Sequence, residues 1–95
     1  MKRKPTVPGN ISAAWRAFAL PRDVSLRLWN YIHVEMPVDY ENLRGNRDPE
    51  GHGFRHKMVI QGELGERYLF ILFVDDTTSP DHLIIADLRC IRRNP

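Results

Sequence analysis

Cysteine is nearly missing from this chain of 95 residues, and no long apolar run is present. The single cysteine, Cys90, excludes an internal disulfide and a thiolate metal cluster, so we expect a reducing compartment and a cytoplasmic location. The longest apolar run, residues 69–74, is far shorter than the roughly 20 residues that cross a bilayer, and predicts no membrane association. The basic start leads into Pro5 and Pro8, which is not the pattern of a signal peptide.

A strong excess of one charge is also missing. The 14 lysines and arginines face 12 acidic residues, so the formal net charge is only +2. This total does not identify a nucleic-acid partner, and only the distribution of the charges can do so. Ten of the 14 cations lie in three groups, near the two ends of the chain and within residues 44–57.

The length of the chain suits one domain with a single core. Residues 1–9 combine two prolines, a glycine and three cations, which predicts a flexible basic arm before a single domain at residues 10–95. A capping residue, Asn10 or Ser12, and a segment with one charge predict a helix at residues 12–20, which Pro21 ends. Apolar residues at helical spacing predict a second helix at residues 22–36, which Pro37 ends. The polar segment 39–53 predicts the longest loop.

Three strands are expected at residues 54–61, 67–74 and 82–92, with short turns that favour antiparallel pairing. Residues 68–74 of the middle strand are all apolar, which is typical of a central strand covered on both faces. Together these elements predict an α+β fold, with an N-terminal αα-hairpin packed on a three- to four-stranded antiparallel sheet.

The outer strands alternate between apolar and polar residues, which indicates a sheet with two different faces. In the first strand Met58 and Ile60 share one side, while Arg55, Lys57 and Gln61 share the other. In the last strand the alternation predicts a polar side with Asp87 and Arg89. The apolar side should contain Ile84, Ala86, Leu88 and Cys90. The sheet should therefore have one apolar face beneath the helices and one cationic face.

Four stretches carry a resemblance to known proteins. They are Ala14–Arg16 with Leu20–Val24, Asn42–Asp48, Gly65–Tyr68 with Val74–Asp76, and the cation-ended strand Leu83–Arg93. Their order and spacing resemble the RelE branch of the RelE/ParE toxin superfamily, including its "L-P-x-x-V" helix start and its "G-x-Y-R" hairpin. That family begins with a β-strand, for which residues 1–9 offer at most a stub.

The resemblance implies the toxin of a type II toxin–antitoxin system. Such a toxin is a metal-independent endoribonuclease that cuts messenger RNA on the ribosome without a cofactor, and a cognate antitoxin protein holds it inactive. The cut drives the ribose 2′-hydroxyl onto the adjacent phosphate. This reaction needs a proton acceptor, a proton donor and fixed cations around the phosphate.

Candidate catalytic residues follow from this chemistry. Lys57, Arg67 and Arg89 are the expected cations around the phosphate, and His56 or His52 is the expected proton carrier. His56 has the parity of Met58, so it can join Lys57 only through a bulge; otherwise His52 serves. A structural role is equally consistent with a lone histidine.

Further cations are candidates for RNA binding, although a solvated surface is an equally simple explanation for charges at a chain end. They are Arg44, Arg47, Arg55, Arg92 and Arg93. The cluster of Asp75, Asp76 and Asp81 lacks the spacing of a calcium loop, and we expect no metal there.

Two other functions stay open. One is a non-catalytic protein on a toxin fold that inhibits a host protein, as gyrase-directed family members do, or an inhibitor from a mobile element. Ribonuclease members often carry a tyrosine or histidine after the last strand, and this sequence ends at Pro95 with neither, which favours that hypothesis. The other is an unrelated α+β interaction protein, which Glu63, Glu66 and Asp87 on the polar face would indicate.

Overall fold

The structure is a computed structural model that describes residues 3–47 and 52–94. It is an α+β fold with a four-stranded mixed sheet. In chain order the elements are β1 (Lys4–Thr6), α1 (Gly9–Ala17), α2 (Arg22–Asn30), a π-helical turn (Tyr31–Glu35), α3 (Met36–Leu43), a 3₁₀ turn (Arg44–Asn46), β2 (Gly53–Gln61), β3 (Arg67–Asp75) and β4 (His82–Arg93). None of the helices in these ranges is long and apolar enough to span a membrane.

The sheet has the strand order β1-β4-β3-β2. Strands β2, β3 and β4 pair antiparallel, and their bounds agree with the sequence prediction to within one residue at each end. Strand β1 instead pairs parallel to β4, from Lys4 opposite His82 to Thr6 opposite Ile84, so the prediction of a purely antiparallel sheet was wrong. A parallel pair needs a long crossover, which the helices and two strands between β1 and β4 supply. This strand lies within the segment expected to be an arm.

A β-bulge in β4 changes which residues face the helices. Phe73 pairs with Asp87 and Val74 pairs with Ile85, so Ala86 is the extra residue. Before the bulge Leu83 and Ile85 are buried, whereas Ile84 is half-buried and Ala86 exposed. The predicted inward position of Ile84 and Ala86 was therefore wrong, because an extra residue reverses the alternation of a strand. After the bulge Leu88 is buried, as the pattern predicted.

The helix that begins at Arg22 does not end at Pro37. Its backbone stays helical through the π turn and continues to Leu43, so part of the expected loop at 39–53 is helix α3. Proline lacks an N–H and its ring clashes with the preceding helical turn. The wider π turn just before Pro37 accommodates both effects. Buried Met36, Tyr40 and Leu43 then continue the apolar side of the helix.

The core lies between the helices and one face of the sheet. Every second residue of β3 is fully buried there, and its members are Tyr68, Phe70, Leu72 and Val74. The alternate residues Leu69, Ile71 and Phe73 are only half-buried, so β3 is central in the sheet but is not covered equally on both faces as its apolar sequence predicted. No helix in the described ranges covers that second side, which leaves one face of the sheet open.

Gly53 allows the start of β2 to approach the end of β3 closely. A Cβ at this position would lie 1.9 Å from the carbonyl oxygen of Val74. We expect Gly53→Ala to lower the free energy of unfolding by about 1–3 kcal/mol, because the backbone must move to relieve the overlap. Urea denaturation followed by tryptophan fluorescence measures this change.

Gly45→Ala is the matched control. A Cβ on Gly45 would have no neighbour within 4 Å, so we expect this variant to be as stable as the parent or up to about 1 kcal/mol more stable. Equal destabilisation by the two substitutions would contradict the close approach of β2 and β3.

Candidate functional site

The face of the sheet that turns away from the helices, here named the open face, carries a group of cations. They are Arg55 and Lys57 on β2, Arg67 on β3, and Arg89 and Arg93 on β4, and all five side chains are exposed. In β2 they share the outward parity of Val59 and Gln61, as the sequence predicted. In β4 the bulge at Ala86 turns Arg89 and Arg93 outward.

The register of the strands places these cations in rows across the sheet. Lys57 pairs with Ile71, which pairs with Arg89, so the two cations flank one apolar side chain. Neighbouring strands lie about 4.8 Å apart, which puts the backbones of Lys57 and Arg89 about 10 Å from each other. Between them β3 contributes a half-buried apolar stripe rather than counter-charges.

Arg67 and Arg93 stand directly opposite each other on neighbouring strands. Like charges in such positions destabilise a sheet. Gln61 is the partner of Arg67 on the other side, and Gly65, Asn94 and the two arginines line a shallow cleft. An anion bound between the two guanidinium groups would relieve their repulsion.

A second cleft lies across the other end of the open face. It has a volume of about 410 Å³ and is lined by these residues: Arg55, Ile71, Phe73, Ala86, Asp87 and Arg89. The Arg55 guanidinium lies 5.5 Å from the centre of the Phe73 ring, a cation–π contact. Arg89 Nε donates a hydrogen bond of 3.0 Å to Asp87 Oδ2. The two side chains of that pair are 74% and 50% exposed, so the pair contributes at most about 1 kcal/mol and can rearrange.

The histidines do not lie with these cations. His56 is on the helix side of β2, where its ring stacks on Tyr31 with centroids 5.2 Å apart, and burial lowers the pKa of His56. The pairing of β2 with β3 is regular from Gly53 to Gln61, so no bulge turns His56 towards Lys57. His52 precedes β2, and its carbonyl oxygen accepts a hydrogen bond from Thr77. The structure therefore places Lys57 and Arg89 in one cross-strand row, Arg67 four residues away along β3 on the same face, and His56 on the opposite face.

Arg47, a predicted RNA-binding residue, forms an ion pair with a buried carboxylate. Its guanidinium donates to both oxygens of Asp76 over 2.9 and 2.6 Å, and the Asp76 side chain is only 1% exposed. Tyr40 donates a third hydrogen bond to Asp76 over 2.5 Å, and Arg3 donates to the Asp76 backbone carbonyl. These contacts join β1, α3 and the turn between β3 and β4.

Arg44 belongs to the same end of the molecule. It pairs with Glu41 on the helix surface, and its guanidinium lies 5.8 Å from the centre of the Tyr40 ring. Arg92 also points away from the open face, because it lies over the ring of buried Tyr68 at 5.3 Å. Of the cations predicted to bind RNA, Arg55 and Arg93 are therefore on the open face, whereas Arg44, Arg47 and Arg92 are not.

The remaining acidic candidates have structural contacts. Asp75 accepts hydrogen bonds from the backbone and hydroxyl groups of Thr77 and Thr78, which lower its pKa to about 2. Glu66 is buried in the hairpin and Glu63 lies in the turn, so Asp87 alone of the three residues considered for an acidic polar face is on the open face. Among residues 3–47 and 52–94, no group of three potential metal ligands converges.

Sequence inspection did not identify Phe73 as a member of the site. Phe73 lies two residues from Ile71 and therefore faces the same side of β3, between strands that carry cations. Because the neighbouring residues of β3 are apolar on both sides, the sequence does not show which side is open.

No family model matches this sequence, and no curated protein or solved structure matches it significantly. The function must therefore be inferred from the geometry of the chain itself.

The acidic turn predicts how stability depends on pH. Burial alone would raise the pKa of Asp76, but hydrogen bonds from Arg47 and Tyr40 outweigh burial and lower it, and Asp75 has its pKa lowered from 3.8 to about 2. Both groups bind protons more weakly when folded, so their stabilisation is complete above pH 3.8 and is lost as pH falls towards 2. We expect the melting temperature to fall steeply through that window.

Asp76→Asn tests the assignment of this dependence. The variant should melt at a lower temperature near neutral pH and should lose less stability on acidification than the parent, because one of the two carboxylates is gone. Parallel melting curves for parent and variant, offset equally at every pH, would contradict the assignment.

Proposed function

We propose that the open face binds the phosphate backbone of RNA, and that the chain acts as a RelE-like toxin on messenger RNA. The observation that supports this is the presence of five exposed cations on one sheet face around a stripe of apolar residues. Phosphate neutralisation by lysine and arginine supplies most of the affinity of proteins for nucleic acids. The repulsion between Arg67 and Arg93 adds support, because a bound phosphate would remove it.

Single-stranded RNA is the form that suits this surface. An open sheet with cations at its margins and an accessible aromatic ring can bind a strand through its phosphates and stack its bases. Phe73 provides the ring, and a stacked base would displace the Arg55 guanidinium that lies over it in the free protein. Double-stranded RNA would present only its phosphates and hydroxyls to such a face.

The proposed reaction is cleavage by the neighbouring ribose. The 2′-oxygen forms a bond to phosphorus, the bond from phosphorus to the 5′-oxygen breaks, and the products are a 2′,3′-cyclic phosphate and a 5′-hydroxyl. Arg89, in the same row as Lys57, would stabilise the added charge on the phosphate, and Arg67 would bind the RNA strand farther along the face. The Lys57 ammonium would donate a proton to the leaving oxygen, and solvent would accept the proton of the 2′-hydroxyl.

A RelE-like toxin also has a characteristic arrangement of helices and characteristic partners. The helices form an αα-hairpin on a RelE-like sheet, and β1 supports this because that family begins with a strand. The ribosome presents the messenger RNA, and a cognate antitoxin covers the toxin in the cytoplasm. No metal or cofactor takes part in the proposed reaction.

A protein that binds and inhibits another protein is the second candidate. Val59 and Ile91 on the open face are 61% and 46% exposed, and together with Leu69 they line a cleft beside Arg67 and Arg93. An apolar centre with a charged margin is also the anatomy of a protein interface. Cleavage of RNA therefore has to be measured separately from toxicity.

Binding to a labelled single-stranded ribonucleotide, followed by fluorescence anisotropy, tests the RNA surface. We expect Lys57→Ala and Arg89→Ala each to weaken binding about fivefold at 0.1 M salt. Each phosphate contact adds about 0.7 to log K for every tenfold fall in salt concentration below 1 M, so the loss of one contact costs a factor of about five at 0.1 M. Arg22→Ala, which removes an exposed cation from α2, is the control and should bind like the parent. Equal losses in all three variants would contradict a specific role for the open face.

Induced expression in bacteria tests the reaction. We expect growth arrest with new internal messenger RNA ends that carry a 5′-hydroxyl, and we expect Lys57→Ala and Arg89→Ala to prevent both while the variants still fold. Mapping transcript ends provides the measurement. Arrest without new ends would support the inhibitor instead, and no arrest would contradict toxin activity.

A further inference from the structure

Asp87 is a carboxylate within the cationic open face. It lies beside Arg89 and in the same cross-strand row as Arg55, where a negative charge repels phosphate. The bulge at Ala86 is what turns it outward, since regular alternation after buried Ile85 would point Asp87 towards the core. A bulge that re-aims one side chain next to a cleft commonly marks a functional position.

The cleft around Asp87 is large enough to hold a base. Its volume of about 410 Å³ falls in the range of roughly 300–1,000 Å³ that is usual for small-molecule pockets. Phe73 is the direct cross-strand neighbour of both Arg55 and Asp87, so the aromatic ring lies between a cation and a carboxylate. A base that displaces the Arg55 guanidinium from the Phe73 ring and stacks there would present its edge to Asp87.

The carboxylate determines which base fits best. Asp87 Oδ2 accepts the hydrogen bond from Arg89, and within the described residues Oδ1 has no hydrogen-bond donor. An ionised carboxylate only accepts hydrogen bonds. On the pairing edge of guanine, N1–H and the N2 amino group are two adjacent donors, which a carboxylate can accept in parallel. Adenine and cytosine place an acceptor beside their amino group, and uracil places acceptors on both sides of N3–H, so each of them would meet repulsion.

We propose that Arg55, Phe73 and Asp87 form a guanine-binding subsite on the open face. This inference rests on the proposed binding of RNA to that face, and it adds a base preference that phosphate contacts alone cannot supply. Arg89 orients the carboxylate in the free protein and contacts the neighbouring phosphate in the complex. The exposed Asp87–Arg89 pair is weak enough to allow that exchange.

Four labelled oligouridines that differ only in one central base test the subsite by fluorescence anisotropy. We expect the oligonucleotide with guanine to bind about tenfold more tightly than those with adenine, cytosine or uracil, because a pair of parallel hydrogen bonds supplies discrimination of that order. Asp87→Asn should abolish this preference while overall affinity stays the same or rises, because the amide presents a donor and carries no charge. Phe73→Leu should weaken binding of all four through lost stacking.

Glu63→Gln controls for the loss of a negative charge, since Glu63 is exposed in the turn between β2 and β3, and it should retain the guanine preference. Unchanged melting temperatures establish that the variants fold. Equal binding of the four oligonucleotides, or a preference that survives in Asp87→Asn, would overturn the guanine subsite alone. Absence of binding by all four would overturn the RNA-binding proposal together with it.

Discussion

The bulge at Ala86 is the constraint on which the two faces of the sheet depend. A strand shows alternate residues to alternate sides, so a single extra residue lets β4 bury Ile85 before the bulge and Leu88 after it. The same insertion turns Asp87 and Arg89 to the open face. With regular alternation after Ile85, Asp87 and Arg89 would face the core and Leu88 would face outward. Burying an unpaired charge there is very costly.

The Arg47–Asp76–Tyr40 network supports this arrangement from one end of the sheet. Asp76 follows β3 directly, and its partners come from α3 and the 3₁₀ turn region, with Arg3 joining from the start of β1. Breaking such a buried pair leaves a charge without compensation, so the parts it joins tend to stay together. The network thus fixes the end of β3, the central strand of the open face, relative to α3 and the N-terminal segment.

The sequence predicted much of the sheet and less of the rest. Alternation in β2 correctly separated Lys57 from Met58, because parity holds wherever pairing is regular. The sequence of β4 does not predict the bulge, because the position of the extra residue depends on how β4 pairs with β3. The sequence predicts a helix end at Pro37, whereas the π turn before it lets the helix continue to Leu43. The sequence does not separate Arg47 from the candidate RNA-binding cations, because its buried partner, Asp76, is 29 residues away in sequence.

The most direct measurement is a nuclear magnetic resonance titration with single-stranded RNA that follows the side-chain Nε–H signals of the arginines. The proposed function predicts that Arg55, Arg67, Arg89 and Arg93 shift on binding, because their guanidinium groups contact phosphate, while Arg16 and Arg22 on the helix side do not. The largest shifts at Arg16 and Arg22, or no shifts on the open face at saturating RNA, would contradict the proposal that the open face binds RNA.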